Sequence, residues 1–205
     1  MHKRTLYLLR HGRPEDQGGL QDKAIFRGKT NSLLSAQGWQ QMQEAVAELS
    51  FNHIISSPLQ RCAEFSWHLA REKKLTVIEY AELAEIDFGL WDGQLIDDIA
   101  MHSDQLLKAF WSDPLNNTPP EGESLLDFHN RVIVCWNKII QTNLQQDTLI
   151  LIHGGVQKII LAHLLEMPLT AIHNIEVPYA CCSAINIYYN EQQIKATLKH
   201  HGSLS

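Results

Sequence analysis

LYLLRHGR, residues 6–13, is an apolar run that ends abruptly in a cation, an imidazole and a glycine. A strand buried on both faces of a parallel sheet has such a near-continuous hydrophobic sequence. Ligands of open α/β sheets bind just beyond the carboxyl ends of the strands. The stretch therefore predicts a central strand that carries Arg10 and His11 to a ligand site, with Gly12 at a sharp turn.

Arg10 and His11 are a pair suited to attack on an anion. The planar guanidinium fork of arginine fits phosphate oxygens, and a histidine that is neutral near pH 7 is a nucleophile. Three residues alone leave a second interpretation open, in which the strand simply ends in incidental polar residues. The rest of the chain has to decide between the two.

The composition predicts one globular domain with a sizeable core. The chain has 205 residues, of which 44% are apolar and 20% charged, and its net charge is −6. This charge gives no support for nonspecific binding of nucleic acid, whose electrostatic footprint is basic. No run of 18 apolar residues is present, so we expect no membrane span.

Cysteine and histidine usage gives the expected compartment and cofactors. The four cysteines, Cys62, Cys135, Cys181 and Cys182, form no C-x-x-C pair, and no signal peptide is recognisable. Both features favour a reducing cytoplasm. The eleven histidines form neither an H-E-x-x-H motif nor a zinc-spaced cluster. We therefore expect no metal and no other cofactor, and the oligomeric state stays open.

Strand-like and helix-like segments alternate along the chain. Strands are expected at residues 5–9, 53–57, 75–78 and 148–152, helices at 35–49, after 57 and at 156–165, and a closing hairpin at 184–189 and 193–199. Ser57 and Pro58 are interpreted as the N-cap and first-turn residue of the second helix. Such alternation predicts a three-layer α/β/α fold with a mostly parallel central sheet.

The middle third departs from this alternation. An irregular loop is expected at residues 82–93, helices at 94–111 and 124–141, and turns between them. We interpret residues 94–123, approximately, as a helical insertion that could roof the site within a single domain of residues 1–205.

Three strand ends bring cations and imidazoles to one edge of the predicted sheet. The first and fourth predicted strands each end in histidine followed by glycine, at His11 and His153, and the second leads into a helix whose first turn carries Arg61. Singly, Arg61 fits a solvated helix residue and His153 a hydrogen-bonded core histidine. Together with Arg10 they match phosphoryl transfer, in which charge spreads over three equatorial oxygens.

A proton donor for the leaving group is expected from the loop ELAEIDFG at residues 82–89. Several acids crowd this loop, and their spacing alone does not choose among them.

Five blocks of the chain resemble, in order, the signature blocks of the histidine phosphatase superfamily, the phosphoglycerate-mutase-like group. They are LRHG at 9–12, SSPLQR at 56–61, ELAEIDFGLWDG at 82–93, PEGES at 120–124 and HGGV at 153–156. The resemblance implies that His11 becomes a phosphohistidine and is oriented by the carbonyl environment around Gly12. It also implies that Arg10, Arg61 and His153 hold the phosphoryl oxygens without a metal.

The resemblance assigns the remaining site residues as well. Glu85 would protonate the leaving alcohol and then deprotonate the attacking water, with Glu82 as the runner-up. Gln17, Gly28 and Gly154 would contact the substrate. The chain departs from the family pattern at Pro14, Gln17, Asn31 and Phe65, which affects fine specificity and removes no catalytic group.

Within the superfamily the chain looks similar to the alpha-ribazole phosphatases of cobalamin assembly, which implies a small phosphorylated metabolite as partner. Trp91, Phe110 or Trp111 could stack on an aromatic base, although ordinary helical core is the interpretation we prefer for them. Two alternatives to a phosphomonoesterase stay open. One is a mutase that returns the phosphoryl group to a substrate, and the other is a phosphate-binding module without catalysis.

Overall fold

One mixed sheet organises the fold. In the computed structural model, which describes residues 2–15, 24–142 and 146–202, six strands form a sheet in the order β3-β2-β4-β1-β5-β6. The strands are β1 (His2–Arg10), β2 (His53–Ser56), β3 (Val77–Glu79), β4 (Thr148–Ile152), β5 (Cys182–Tyr189) and β6 (Ile194–Gly202). The helices are α1 (Ala36–Val46), α2 (Gln60–Lys73), α3 (Ile96–Ser112), α4 (Leu125–Gln141) and α5 (Gly154–Leu164).

Strands β1 to β4 are mutually parallel, and β5 and β6 add an antiparallel hairpin beside β1. This confirms the predicted α/β fold with a mostly parallel sheet. In the register of the sheet Arg10 pairs with Ile152, and Ser56 pairs with Leu151. The residues that follow β1, β2 and β4 therefore meet at one edge of the sheet.

Residues 6–9 of β1 and residues 149–152 of β4 form hydrophobic runs because both faces of the sheet are covered there. Leu6 and Leu8 of β1 pack with α4 and α5, whereas Leu9 packs on the opposite face with α1 and α2. The same alternation holds in β4, where all five residues are buried. Each such side chain removed from water contributes about 1.5–3 kcal/mol. Two core layers thus hold the sheet between two helical layers.

The second helix begins later than the sequence predicts. Helix α2 starts at Gln60 with Leu59 as its N-cap, so the assignment of Ser57 and Pro58 to the cap and first turn is wrong. The side chain of Asn31 accepts the N–H of Gln60 at 2.8 Å, and it supplies the capping oxygen from a distant loop. Ser57 uses its hydroxyl in the site described below.

Several other element boundaries also differ from prediction, and two of them have a clear local cause. Strand β3 begins at Val77 rather than at residue 75, because Lys74 is left-handed and the N–H of Leu75 closes α2 on the carbonyl of Ala70. Helix α5 begins at Gly154 rather than at residue 156, because His153 takes the N-cap position directly after β4.

The segment predicted as an insertion contains α3, which is kinked at Ser103, followed by turns. Residues on both sides of the kink, Ile99 and Phe110 among them, pack with Phe26 and Trp91. The division of the chain into one domain with this insertion stays a prediction. No helix within residues 2–15, 24–142 and 146–202 is long and apolar enough to cross a membrane.

Candidate active site

The imidazole of His11 lies one residue beyond β1 and is buried. Its Nδ1 is 2.8 Å from the carbonyl oxygen of Gly12. A carbonyl oxygen only accepts hydrogen bonds, so Nδ1 carries the proton and Nε2 keeps its lone pair. Burial, followed by the charges of Arg61 and Arg10, lowers the pKa of His11 well below 6.5. The ring is therefore neutral, with Nε2 unprotonated.

Close packing of two glycines fixes the turn that orients this ring. A side chain at Gly12 would collide with the carbonyl oxygen of Gly38 at the start of α1, and one at Gly38 would collide with the backbone of Arg13. Glycine is required at positions 12 and 38 because the two backbone segments are in contact there.

Arg61 lies between the two histidines and is completely buried. Its Nε–H donates to Nε2 of His11 and to Nδ1 of His153, each at 3.2 Å. Its two Nη atoms donate to the carbonyls of Gly28 and Thr30 at 2.7 Å. The structure thus brings together His11, Arg61 and His153, the predicted residues that follow β1, β2 and β4.

His153 is held by a residue that sequence reasoning had assigned to a helix cap. Since Nδ1 of His153 accepts from Arg61, its Nε2 carries the proton and donates to the hydroxyl of Ser57 at 2.7 Å. Burial, then the charge of Arg61, lowers the pKa of His153 well below 6.5. Both histidines of the site are therefore uncharged.

The guanidinium of Arg10 faces the same space from the end of β1. One Nη donates to the carbonyl of Val177, and Cζ lies 4.2 Å from the ring centre of Tyr179. Nε is buried and has no hydrogen-bond partner in the described part of the chain. An unpaired buried donor is costly, so this N–H marks a place for an acceptor from a ligand. Tyr179 was not predicted, because nothing in its local sequence distinguishes it.

Glu85 is the carboxylate that the structure places in the site. Its side chain is buried, and its oxygens accept the N–H groups of Gly155 at 2.9 Å and Ile86 at 3.1 Å. A side chain at position 155 would overlap this carboxylate, so glycine is needed there. Glu82, the second predicted candidate, is exposed on the same loop.

A cavity of about 300 Å³ opens next to these groups. Arg10, Glu85 and Gly154 are among the residues that line it, and so are four aromatic rings. The rings are Phe26, Phe88, Phe110 and Trp111. Phe110 is nevertheless almost fully buried, and Trp91 lies behind the cavity in a cluster with Phe26. Of the three aromatic residues proposed for base stacking, Phe110 and Trp111 line the cavity and Trp91 is core.

The loop of residues 28–30 holds Arg61, and Asp92 in turn holds this loop. The carboxylate of Asp92 accepts the backbone N–H groups of Gly28, Lys29 and Thr30, and it also accepts the hydroxyl of Thr30. The carbonyls of the same loop hold Arg61. The WDG block containing Asp92 was recognised as a motif. The contact of Asp92 with residues 28–30, more than 60 positions earlier in the chain, could not be predicted from the sequence.

Three further predicted contacts have different outcomes. Gln17 lies outside the described residues. Both the N–H and the carbonyl of Gly28 are bonded within the protein, to Asp92 and Arg61, which gives Gly28 a structural role. Gly154 lines the cavity next to Arg10. Direct contact of any of these residues with a substrate stays a prediction.

In the described ranges, no group of three or more histidine, cysteine, aspartate or glutamate side chains could hold a metal ion. The positive charge of the site comes instead from guanidinium groups. Arg10 and Arg61 provide it at the positions described above.

The neutral histidines predict a loss of stability in acid. A histidine whose pKa is lowered by folding binds a proton more readily in the unfolded chain, so stability falls as the pH drops below about 6.5. Each proton bound only by the unfolded chain costs on the order of 1 kcal/mol of stability per pH unit below about pH 6.5, and His11 is one such site. We expect His11→Asn to lessen the fall by up to that amount, measured as the free energy of unfolding in urea. An unchanged fall would mean that His11 is protonated in the folded protein.

The model of the histidine phosphatase superfamily (branch 1) matches residues 6–199. The adenosylcobalamin/alpha-ribazole phosphatase of Escherichia coli is 28% identical over 185 residues, which cover 89% of each protein. The crystal structure of the alpha-ribazole phosphatase from Shigella flexneri matches with a TM-score of 0.82 at 27% identity, covering 97% of this chain and 96% of that one.

Some relatives are longer than this chain. A bifunctional protein of Mycobacterium tuberculosis is 29% identical over 187 residues, which cover 89% of this chain and 50% of that protein. The chain therefore spans about half the length of that relative.

Proposed function

The chain belongs to the histidine phosphatase superfamily, and from this premise we propose that it hydrolyses a phosphomonoester through a phosphohistidine formed on His11. Phosphatase or mutase activity is what the family and its relatives support. The observation that carries the proposal is the state of His11, whose Nδ1–H is anchored on Gly12 while its unprotonated Nε2 faces Arg61.

In the first step Nε2 of His11 attacks phosphorus, and the bond from phosphorus to the ester oxygen breaks. The leaving oxygen takes a proton from Glu85, whose carboxyl lines the adjoining cavity. The unpaired Nε–H of Arg10 and the Nε–H of Arg61 can donate to the phosphoryl oxygens. His153 lies beside them, but its Nε2–H is bonded to Ser57, so a direct contact of His153 with the phosphoryl group stays a prediction.

In the second step Glu85, now a carboxylate, removes a proton from water as the water oxygen attacks phosphorus. The bond from phosphorus to Nε2 breaks, and inorganic phosphate and neutral His11 result. The backbone bonds of Glu85 to Gly155 and Ile86 keep the carboxylate next to the reaction in both steps. No redox step or additional co-reactant is needed.

We propose alpha-ribazole 5′-phosphate as the ester. The support is twofold, namely the relatives named above and the aromatic wall of the cavity beside the phosphate site. Phe110 and Trp111 would face a flat aromatic base there, and aromatic stacking adds about 0.5–1.5 kcal/mol beyond the buried area.

A second candidate is an ester whose leaving group carries another negative charge, such as a sugar bisphosphate or a phosphoglycerate. The observation that favours it is Lys158, which lines the same cavity and has no ion-pair partner in the part of the chain that the structure describes. Burial, then Arg10, lowers the pKa of Lys158. An acidic substituent on the substrate would offset the effects of burial and of Arg10, because a nearby negative charge favours the charged form of the lysine.

The test is phosphate release from a panel of esters, with and without EDTA. The panel contains alpha-ribazole 5′-phosphate, 3-phosphoglycerate, fructose bisphosphates and nucleotides. We expect the highest kcat/KM for the ribazole ester and no effect of EDTA. Preference for an acidic ester would support the second candidate, and phosphoryl transfer to a second alcohol instead of water would identify a mutase. Uniformly slow turnover would argue against both esters.

A cytoplasmic location is part of the same proposal. The four cysteines are free thiols and are buried, as expected for a chain kept in a reducing compartment.

A further inference from the structure

The guanidinium of Arg131 on α4 lies under the loop that carries Glu85 and makes five hydrogen bonds. Its Nε and one Nη donate to the two carboxylate oxygens of Glu123 at 2.6 and 2.8 Å. The Nη groups also donate to the backbone carbonyls of Glu82 at 2.7 Å, Ala84 at 2.8 Å and Glu85 at 3.1 Å. An arginine has five N–H donors, so the donor set is fully used.

The groups that hold this loop are themselves fixed. The Arg131 and Glu123 side chains are only 24% and 16% exposed, and Cζ of Arg131 lies 4.8 Å from the ring centre of Phe128. Glu123 also bonds the loop directly. Its backbone N–H donates to the carbonyl of Asp87 at 2.8 Å, and its carboxylate accepts the N–H of Asp87 at 3.3 Å. The loop is therefore held on both sides of Glu85.

The side chain of Glu85, by contrast, is held by two backbone N–H groups, those of Gly155 and Ile86. Its position relative to a substrate therefore depends on where its own backbone lies. A general acid must be within hydrogen-bond reach of the leaving oxygen. A displacement of about 1 Å in a reacting group can cost about 10²-fold in rate.

We propose that Arg131 is a positioning residue for Glu85, which it places through the carbonyls of residues 82, 84 and 85, with Glu123 orienting the guanidinium. This inference rests on the role proposed above for Glu85. It separates Arg131 from the arginines that face the phosphate site, because its donors are all bonded to the protein. Arg131 acts on departure of the leaving group and leaves phosphate binding unchanged.

The test compares two esters in the variant Arg131→Met, which keeps an aliphatic side chain over Phe128 and removes all donors. An alkyl phosphate needs a proton on its leaving oxygen, whereas 4-nitrophenyl phosphate releases a stable anion. We expect kcat/KM, which excludes hydrolysis of the shared phosphohistidine, to fall about 10- to 10²-fold for the alkyl ester. We expect less than about threefold loss with the nitrophenyl ester. Arg131→Lys should behave similarly, since an ammonium cannot replace the fork.

The matched control is Arg71→Met, at an exposed arginine in the last turn of α2. It removes the same charge and should leave both rates unchanged. A double variant, Glu85→Gln with Arg131→Met, should be no slower with the alkyl ester than Glu85→Gln alone. Once the acid is removed, displacement of its backbone no longer affects proton transfer to the leaving oxygen. A further 10-fold loss in the double variant, or equal losses on both esters in Arg131→Met, would overturn the inference.

Two possible failures remain distinguishable in this design. If Glu85→Gln alone slows both esters equally, the proposed role of Glu85 is wrong and the positioning role with it. If Glu85→Gln is selective for the alkyl ester and Arg131→Met is not, only the positioning role is wrong. Should Arg131→Met not fold, Glu123→Gln tests the same support of the Glu85 loop. It weakens the ion pair between Glu123 and Arg131 and retains an acceptor oxygen. Selective slowing of the alkyl ester is again the expected result.

Discussion

Replacing His11 with alanine should reduce turnover to the background rate, a loss on the order of 10⁴-fold or more. The covalent route needs Nε2 of His11, and the neighbouring imidazole of His153 has both ring nitrogens bonded, to Arg61 and Ser57. His11→Asn, which is closer in shape and has no imidazole, should lose activity to the same extent. The measurement is kcat/KM for an alkyl and a nitrophenyl ester, since both require the nucleophile.

The control for this prediction is His102→Ala, at an exposed histidine of α3. It should leave both rates unchanged. A direct check is rapid quenching of the wild-type protein during turnover, followed by mass spectrometry of the peptide that contains His11. We expect a phosphorylated peptide that is labile in acid. Activity above a few per cent in folded His11→Ala, or no phosphorylated peptide, would contradict a phosphohistidine intermediate.

The strands that carry the site were predictable because their burial on both faces leaves a plain signal. The run at residues 6–9 and the run at 149–152 are hydrophobic at every position, since Leu8 faces one helical layer and Leu9 the other. Parallel pairing then fixes where His11 and His153 meet. These inferences need only local sequence and the geometry of a sheet.

Contacts that depend on distant residues were not predictable in this way. Ser57 has the local signature of a helix cap, yet its hydroxyl bonds His153, 96 residues away, and the distant Asn31 serves α2. A hydroxyl or amide at a helix start fits several partners equally well by local rules. The tertiary structure decides which of them is used.

The supports of the site were missed for the same reason. Asp92 belongs to a block that was recognised as a motif and Arg131 to what looks like ordinary helix surface, but the contacts of neither residue were predicted. Asp92 binds backbone N–H groups about 60 residues earlier in the chain, and Arg131 binds carbonyls 46 to 49 residues earlier. Such backbone partners carry no side-chain signature, so no residue pattern reveals them.

Replacing Glu85 with glutamine should slow hydrolysis of an alkyl phosphate by roughly 10²–10⁴-fold, because the amide cannot supply a proton to the leaving oxygen. Glutamine keeps one oxygen that can accept the N–H of Gly155, so the loop should stay in place. The nitrophenyl ester should be affected far less in its first step. Measuring kcat/KM for both esters in wild type and variant gives the comparison, since this ratio excludes breakdown of the intermediate when that step is slow.

The matched control for Glu85→Gln is Glu82→Gln, three residues earlier in the same loop and exposed to solvent. It removes an equal charge close to the site, so it separates loss of the acid from loss of a nearby negative charge. We expect Glu82→Gln to leave both esters unchanged, because its carboxylate does not line the cavity. The reverse pattern, with Glu82→Gln selective and Glu85→Gln silent, would move the proton donor to Glu82. Equal losses on both esters in Glu85→Gln would mean that Glu85 organises the site without donating a proton.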